Sequence, residues 1–420
     1  MPIKGIIASS ASKVAKFWSY PTTAVTASRY QAVASSAVAT ALGGRTSNGT
    51  DQDNFVVSYN KSGDINWQLY YNVGVGGTDS IVGIAIDSSR NVYALSAGAA
   101  LNESFVKFDA TGAQQWARST TYSIVSSKLK IDSSGNIYIT GGFTISTQKY
   151  RFLMKLSSTP TVTWMSAENY GTTSNSRTDT FLGIAIDSGS NVYASGNTTD
   201  NTGATNAATL FKFNSSGAIQ WGRSVGSVGS GDGSRFADCG VDSSDNVYTA
   251  GERSSNTAAT LVKFDSSGTL QWTRNSNNSG WSTMSVDSSG NSYVARNEIL
   301  MKFNSSGTLQ WQRTIKYGTT NSTIASLEVD EANNIINVAG YLGVSGYPLF
   351  ASLPADGSGT GTYTVGTYTI NYAAASQTIT SPTVTYGTPS FTPFTTAPGL
   401  TTAATAITPT TYTNNKTVIL

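Results

Sequence analysis

Short runs of β-branched and aromatic residues alternate with polar ones from about residue 29 to about residue 370, and Asp, Asn, Ser and Gly break them at short intervals. That is the two-residue period of strands, punctuated by turn chemistry. One unit, LVKFDSSGTLQWTR at 261–274, returns along most of the chain. Related segments end at Trp67, Trp116, Trp164, Trp221 and Trp311, so six of the eight tryptophans, with Trp272, share one register. A degraded copy, LFASLPADGSGTGTY, keeps Asp356, Gly359 and Tyr363 at the spacing of Asp265, Gly268 and Trp272. The mean spacing from Trp67 to Trp311 is about 49 residues, a period that marks a propeller or a solenoid.

Each unit reads as a tight hairpin, with Asp or Asn bonding its own backbone and Gly supplying the positive φ of the turn. A second hairpin precedes the later copies, as in LKIDSSGNIYITGG from Leu129 and CGVDSSDNVYTAGE from Cys239. Two hairpins per period make a four-stranded antiparallel blade. The expected fold is therefore all-β, a seven-bladed propeller over 29–370, with an N-terminal arm at 1–28 and a Thr/Pro-rich extended arm at 371–420. The six register tryptophans are expected to be buried against neighbouring blades. Alternation places the short, repetitive DSSGN and DSSG turns on one face and the variable loops on the other. Tyr70, Tyr71, Tyr150, Arg151, Tyr170, Arg177 and Tyr317 fall in or beside those variable stretches and are the candidate binding residues, since Tyr beside Asn, Ser and Gly suits glycan or protein surfaces.

Composition narrows the chemistry. Charged residues are 12% and the formal net charge is +2, so no strong field draws the chain to nucleic acid or an anionic membrane. With no His and one Cys, Cys239, the chain offers no internal disulfide, no His-based zinc site and no His triad. No cofactor, metal or catalytic residue is assigned, and the chain is read as no enzyme. The Asp132, Ser134, Asn136 and Asp242, Ser244, Asn246 turns have calcium-like oxygen spacing but one carboxylate each, so hairpin structure is preferred. Lys107, Lys155, Lys212, Lys263 and Lys302, with Arg118, Arg223, Arg274 and Arg313, form either a basic ring or partners for the repeat Asp and the blade interfaces. Cys239 is expected in the core.

The N-terminal apolar run, Gly5 to Ala8, is shorter than an export signal needs, and no window approaches a membrane span. Neither end has the apolar density to fold alone. Both are expected to be assembly arms, with Phe17, Trp18, Tyr20, Phe391 and Phe394 as anchors in a partner.

The paired motifs IDSSGNIYITGG and LVKFDSSGTLQW resemble the bacterial SBBP-type β-propeller repeat family, which implies the fold and little about function. The Trp-tagged turn DATGAQQW at 109–116 resembles the tryptophan-docking repeat of pyrroloquinoline quinone dehydrogenases, without their vicinal Cys pair or acidic calcium cluster. A sialidase Asp-box is similar, but its spacing here is one residue too long. The segment LPADGSGTGTYTVGTYTINYAAAS from Leu353, with its Thr-rich tail, looks like the ends of structural or tail-fibre-like proteins of marine bacteriophages. That resemblance implies a non-enzymatic virion component, either a tail fibre, a host-recognition protein or a capsid-surface protein. It would be made in the host cytoplasm, form homo-oligomers, contact other virion proteins and bind a host surface glycan or protein. The rival expectation is a bacterial adhesin or lectin-like propeller at the cell surface or outside the cell.

Overall fold

The computed structural model describes residues 15–18, 29–47, 52–72, 78–97, 104–120, 124–145, 148–169, 180–199, 206–225, 234–253, 258–277, 280–343, 347–365, 368–382, 384, 387, 392–393, 402–404, 410–411 and 418–419. Its described strands form seven separate antiparallel sheets, numbered here in chain order. Sheets 1 to 6 begin with four consecutive strands each, within 29–71, 80–120, 124–169, 180–225, 235–276 and 283–317. We letter these strands A to D in chain order. Sheet 7 takes three strands from 323–354 and its fourth, Lys16–Trp18, from the other end of the chain.

Each A strand packs against the A strand of the next sheet, and Arg29–Ser35 of sheet 1 meets Thr323–Asp330 of sheet 7, so the sheets close into a ring. The chain is an all-β propeller with four-stranded antiparallel blades. Closure has its own chemistry. Tyr59 stacks on Phe350 at 5.3 Å, the Val33 N–H donates to Ser326 Oγ at 3.3 Å, and Lys61 reaches Asp330 at 2.5 Å.

The hairpins follow from the turns. In the A–B turns of sheets 2 to 6 the repeat Asp takes the backbone N–H of the Asn four residues on at 2.8–3.0 Å. In most C–D turns one Gly sits at positive φ, as at Gly217 (φ 85°) and Gly268 (φ 80°). Side chains between these turns alternate and pack sheet on sheet, with apolar cores shared by neighbours; Ala185, Tyr193 and Leu210 of sheet 4 meet Cys239, Val247 and Phe264 of sheet 5.

The degraded seventh copy departs from expectation. Its turn forms, with Gly357 beneath the Trp311 ring. The following strand, Gly361–Val365, does not pair with Tyr347–Pro354. It pairs with Tyr368–Ala374, which adds to the D strand of sheet 6. This turn carries two left-handed glycines, Gly357 (φ 74°) and Gly359 (φ 77°), where the other C–D turns carry at most one. The edge it leaves is filled by Lys16–Trp18, with Phe17 opposite Ala351.

Both ends thus lie differently from the arms read in the sequence. Phe17 and Trp18 belong to a strand of the propeller, and that strand pairs on its other side with Val418–Ile419. The described parts of the tail run along the D strands of this same chain. An open strand edge leaves unpaired N–H and C=O groups, and the tail tethered beside it is the nearest extended chain. Tyr20, Phe391 and Phe394 lie outside the described residues.

Candidate functional site: the axial channel and its turn ring

A β-bulge recurs at one level of the A–B ladder, between Tyr30 and Ala32, Ile81 and Gly83, Ser126 and Lys128, Phe181 and Gly183, Phe236 and Asp238, and Ile324 and Ser326. Such bulges re-aim the residues that follow. Opposite them the B strand comes so close that a Cβ on Gly196, Gly251 or Gly340 would lie 1.9–2.0 Å from a carbonyl oxygen of the A strand. The Gly near the end of ASGN, TAGE and VAGY is there for this approach.

The residues after the bulge line the channel on the ring axis, a cavity of about 240 Å³ to which all seven A strands contribute. It is smaller than the ~300–1,000 Å³ of typical ligand clefts. Its charges pair across the axis. Lys128 of sheet 3 reaches Asp238 of sheet 5 at 3.2 Å, and Lys130 of sheet 3 reaches Glu328 of sheet 7 at 3.3 Å. Asp238 also accepts from Thr283 Oγ1 at 3.2 Å and from the backbone N–H groups of Met284 and Cys239 at 3.0 and 3.1 Å. The Glu328 carboxylate raises the Lys130 pKa above the ordinary lysine value and outweighs the opposing effect of burial.

The Cys239 thiol donates to the Tyr193 carbonyl at 3.7 Å. Burial pushes its pKa up to about 12, so it stays a protonated core group at neutral pH. Sequence reading missed Lys128, Lys130, Asp238 and Glu328. The available signal was the alternation of Lys128 and Lys130 along one strand, which puts two ammonium groups on one face.

Around the channel mouth the A–B turns are joined to each other. Ser188 donates to Asp245, Ser243 to the Ser288 carbonyl and Ser288 to Glu331, while Asn333 reaches the Ala37 carbonyl. Within sheets 2 to 6, Asp87, Asp132, Asp187, Asp242 and Asp287 each use the second carboxylate oxygen as well. It accepts from the Asn amide at 2.7–2.9 Å and from a Tyr hydroxyl six residues on at 2.9–3.4 Å. Burial pushes the Asp132 and Asp242 carboxyls upward, but the donors from Asn, Tyr and Ser together hold them below the usual carboxylate value. Tyr193, Tyr248 and Tyr293 are pushed well above the phenol range by burial and by these carboxylates. The oxygens that calcium would need are occupied by the chain's own donors, and among the described residues no group of three or more acidic or Cys side chains converges.

The repeated cations are placed by the same units. Lys107, Lys155, Lys212, Lys263 and Lys302 each lie over a Tyr of their own sheet at 4.9–5.1 Å. Lys212 and Lys263 also pair with Asp187 and Asp242, at 3.3 and 3.6 Å. Arg223, Arg274 and Arg313 stack over Trp221, Trp272 and Trp311 and donate Nε–H to Gly268, Gly307 and Gly357 carbonyls of the next sheet, each at 2.7 Å.

The tryptophans bridge sheets in one way. Trp164, Trp221 and Trp272 donate Nε1–H to Ser215, Ser266 and Ser305 carbonyls in the next C–D turn, at 3.0–3.1 Å. A Cβ on Gly217 would come within 2.7 Å of the Trp164 ring. Of the six register tryptophans only Trp311 is buried, at 8% exposure; the other five are half-buried. Their expected burial is corrected to that extent, because each of these indoles stands on the D strand, at the outer side of its sheet.

Several candidate binding residues are strand residues. Tyr71 and Tyr150 are buried, and Tyr150 stacks on Phe143 at 5.1 Å. Arg151 is 2% exposed, pairs with Glu168 at 3.1 Å and lies over the Phe211 ring at 4.4 Å. Tyr70 is half-buried in the D strand of sheet 1, and Tyr317 packs on the core of sheets 6 and 7. For Tyr71, Tyr150 and Arg151 the surface role is corrected: the strands run further than the turn-forming residues suggested. Tyr170 and Arg177 lie outside the described residues, as do most of the B–C loops and intersheet links.

No family model matches the chain, and no curated protein matches it in sequence. Among solved structures it is similar to the Dos1 propeller, at 10% identity over 81% of this chain and 95% of that one, with a TM-score of 0.49. A gluconolactonase from Xanthomonas campestris aligns at 13% identity over 83% and 99% of the two chains, with a TM-score of 0.36. A protein of unknown function from Bacteroides caccae aligns at 11% identity over 59% and 81%, with a TM-score of 0.37. The propeller assignment rests on this chain's own sheets, and these likenesses carry nothing about activity.

Proposed function

We propose that the chain is a non-enzymatic structural component of a bacteriophage particle, a tail fibre, host-recognition or capsid-surface protein. In this reading each of the seven sheets is one blade, and the ring holds its variable loop face toward a host glycan, a host protein or another virion protein. The observation that carries it is the internal use of polar groups on the axis and the turn face. Lys128, Lys130, Asp238 and Glu328 pair with one another, and the repeat Asp residues bond their own turns. In this reading recognition falls to the opposite face, toward which strand alternation directs the B–C loops and the intersheet links.

The test is mass spectrometry of gradient-banded virus particles from the native source, with the chain expected among the particle proteins. Recovery from the envelope of uninfected cells would overturn the reading in favour of a cell-surface adhesin or lectin-like propeller. For the binding face, replacing 171–179 by a short Gly/Ser turn is expected to abolish attachment to host cells and leave the melting temperature nearly unchanged. Unaltered attachment after replacement of that link and of 200–205 would remove the loop face from the proposal.

A further inference from the structure

The tail takes a path around the ring that none of its residues suggests singly. Tyr368–Ala374 lies on the D strand of sheet 6, Ile379–Thr380 on that of sheet 5, and Gly387 bridges Ser224 of sheet 4. Thr392–Pro393 then reaches sheet 3, Thr402–Ala404 sheet 2, Thr410–Thr411 sheet 1, and Val418–Ile419 the N-terminal strand in sheet 7. The tail therefore visits every sheet once, against the chain order of the ring, and each contact is antiparallel main-chain pairing at an outer edge.

We propose that these seven outer edges are a strand-docking track for an extended, Thr-rich segment, and that its partner in trans is the tail of a second copy of this chain. Recognition by main-chain pairing needs little from side chains beyond an extended backbone. A second copy carries the segment that already fits these edges in this one. After Tyr368–Ala374 each contact is three residues or fewer, and Gly387 is held by two bonds of 2.9 Å to Ser224. Each of these contacts is short enough to be released separately from its sheet. In dilute solution the tethered tail wins by effective concentration; copies held side by side, or mixed at roughly millimolar concentration, present their tails to each other at comparable concentration. This inference concerns pairing between copies and does not depend on where the protein acts.

The test uses the full-length chain. Single variants Ser276→Cys and Ile379→Cys place thiols on residues that oppose each other between sheet 5 and the tail, and the native Cys239 is buried. Mixed at high concentration under mild oxidation, they are expected to give a disulfide-linked heterodimer at least about tenfold above a mixture of Val38→Cys and Ile379→Cys, Val38 being exposed on a turn. In a second arm, a specific protease site is inserted after Ala375. After cleavage, a fluorescent synthetic peptide of residues 379–420 is expected to replace the unlabelled tail and co-elute with the ring. The proposal is overturned if the heterodimer does not exceed the control, or if the peptide fails to enter the cut protein.

Discussion

Sheets 5 and 7 have the same four-stranded plan and are assembled in opposite ways. Sheet 5 takes its four strands from one stretch of sequence, Arg235–Val241, Val247–Arg253, Ala258–Phe264 and Leu270–Ser276, and each pairs antiparallel with the next. Its Asp242 and Asp265 turns are held by hydrogen bonds within the turn itself. Sheet 7 also begins with three consecutive antiparallel strands, yet its fourth strand comes from residues 16–18 and is flanked by residues 418–419. All four strands of sheet 5 are neighbours in sequence. In sheet 7 an edge left open by the Gly357–Gly359 turn is filled by whichever extended segment closure of the ring brings to it.

The largest expected effect that separates the two is Phe17→Pro. The strand around Phe17 has a partner on each side, and proline removes a ladder N–H from a central position, leaving an acceptor without its donor at a cost of about 1–3 kcal/mol. Hydrogen exchange should quicken in Tyr347–Pro354 and Arg29–Ser35 while sheet 5 stays protected. Equal loosening of all sheets would break the contrast.

Next is Gly217→Val in the C–D turn of sheet 4, where φ is 85° and an added Cβ would lie 2.7 Å from Trp164. Left-handed strain and crowding each cost roughly 1–3 kcal/mol, so a clear loss of thermal stability is expected, with quenching of Trp164 altered in fluorescence. At Gly361, which has no positive φ and whose nearest neighbour to an added Cβ is Tyr363 at 3.7 Å, the same change should cost little.

A smaller effect should appear on acidification. The carboxyls of Asp132, Asp242 and Asp265 have folded pKa values below their unfolded ones. Their contribution is complete above the unfolded value of about 4 and is lost as pH falls through the depressed folded value. Melting temperature should therefore drop below about pH 4 in the parent chain, and the slope should be shallower in Asp132→Ala/Asp242→Ala. An unchanged slope would show that these turns do not couple folding to protons.

The smallest effect is expected in the channel. The Lys130–Glu328 pair is partly exposed, so Lys130→Met should change stability by at most about 1 kcal/mol. Because the folded Lys130 pKa is raised, its contribution is present below the unfolded lysine value and lost as pH climbs through the folded one. Titration of melting temperature between neutral and strongly alkaline pH reads this directly.

The four-stranded unit was legible because Asp, Asn and Gly act within six residues of themselves, and Trp with its following Arg repeats at one register. Those signals are local and periodic. The binding residues were read less well. Tyr71, Tyr150 and Arg151 adjoin polar loops in the sequence, which points to the variable surface, but strand pairing continues through them and buries them. Burial depends on the neighbouring sheet, such as Phe181 and Phe211 closing over Arg151, and no local pattern reports it.

By itself the sequence determined the hairpins, their order, and the extended character of a Thr/Pro-rich tail that has no core of its own. Only the tertiary structure decided which edges the two ends would occupy, and which charges would meet across the axis. Turn formation is an interaction among residues a few positions apart, so its free energy is written in the local sequence. Edge pairing is nearly indifferent to side chains, so Lys16–Trp18 and 418–419 find their partners through the geometry of the closed ring.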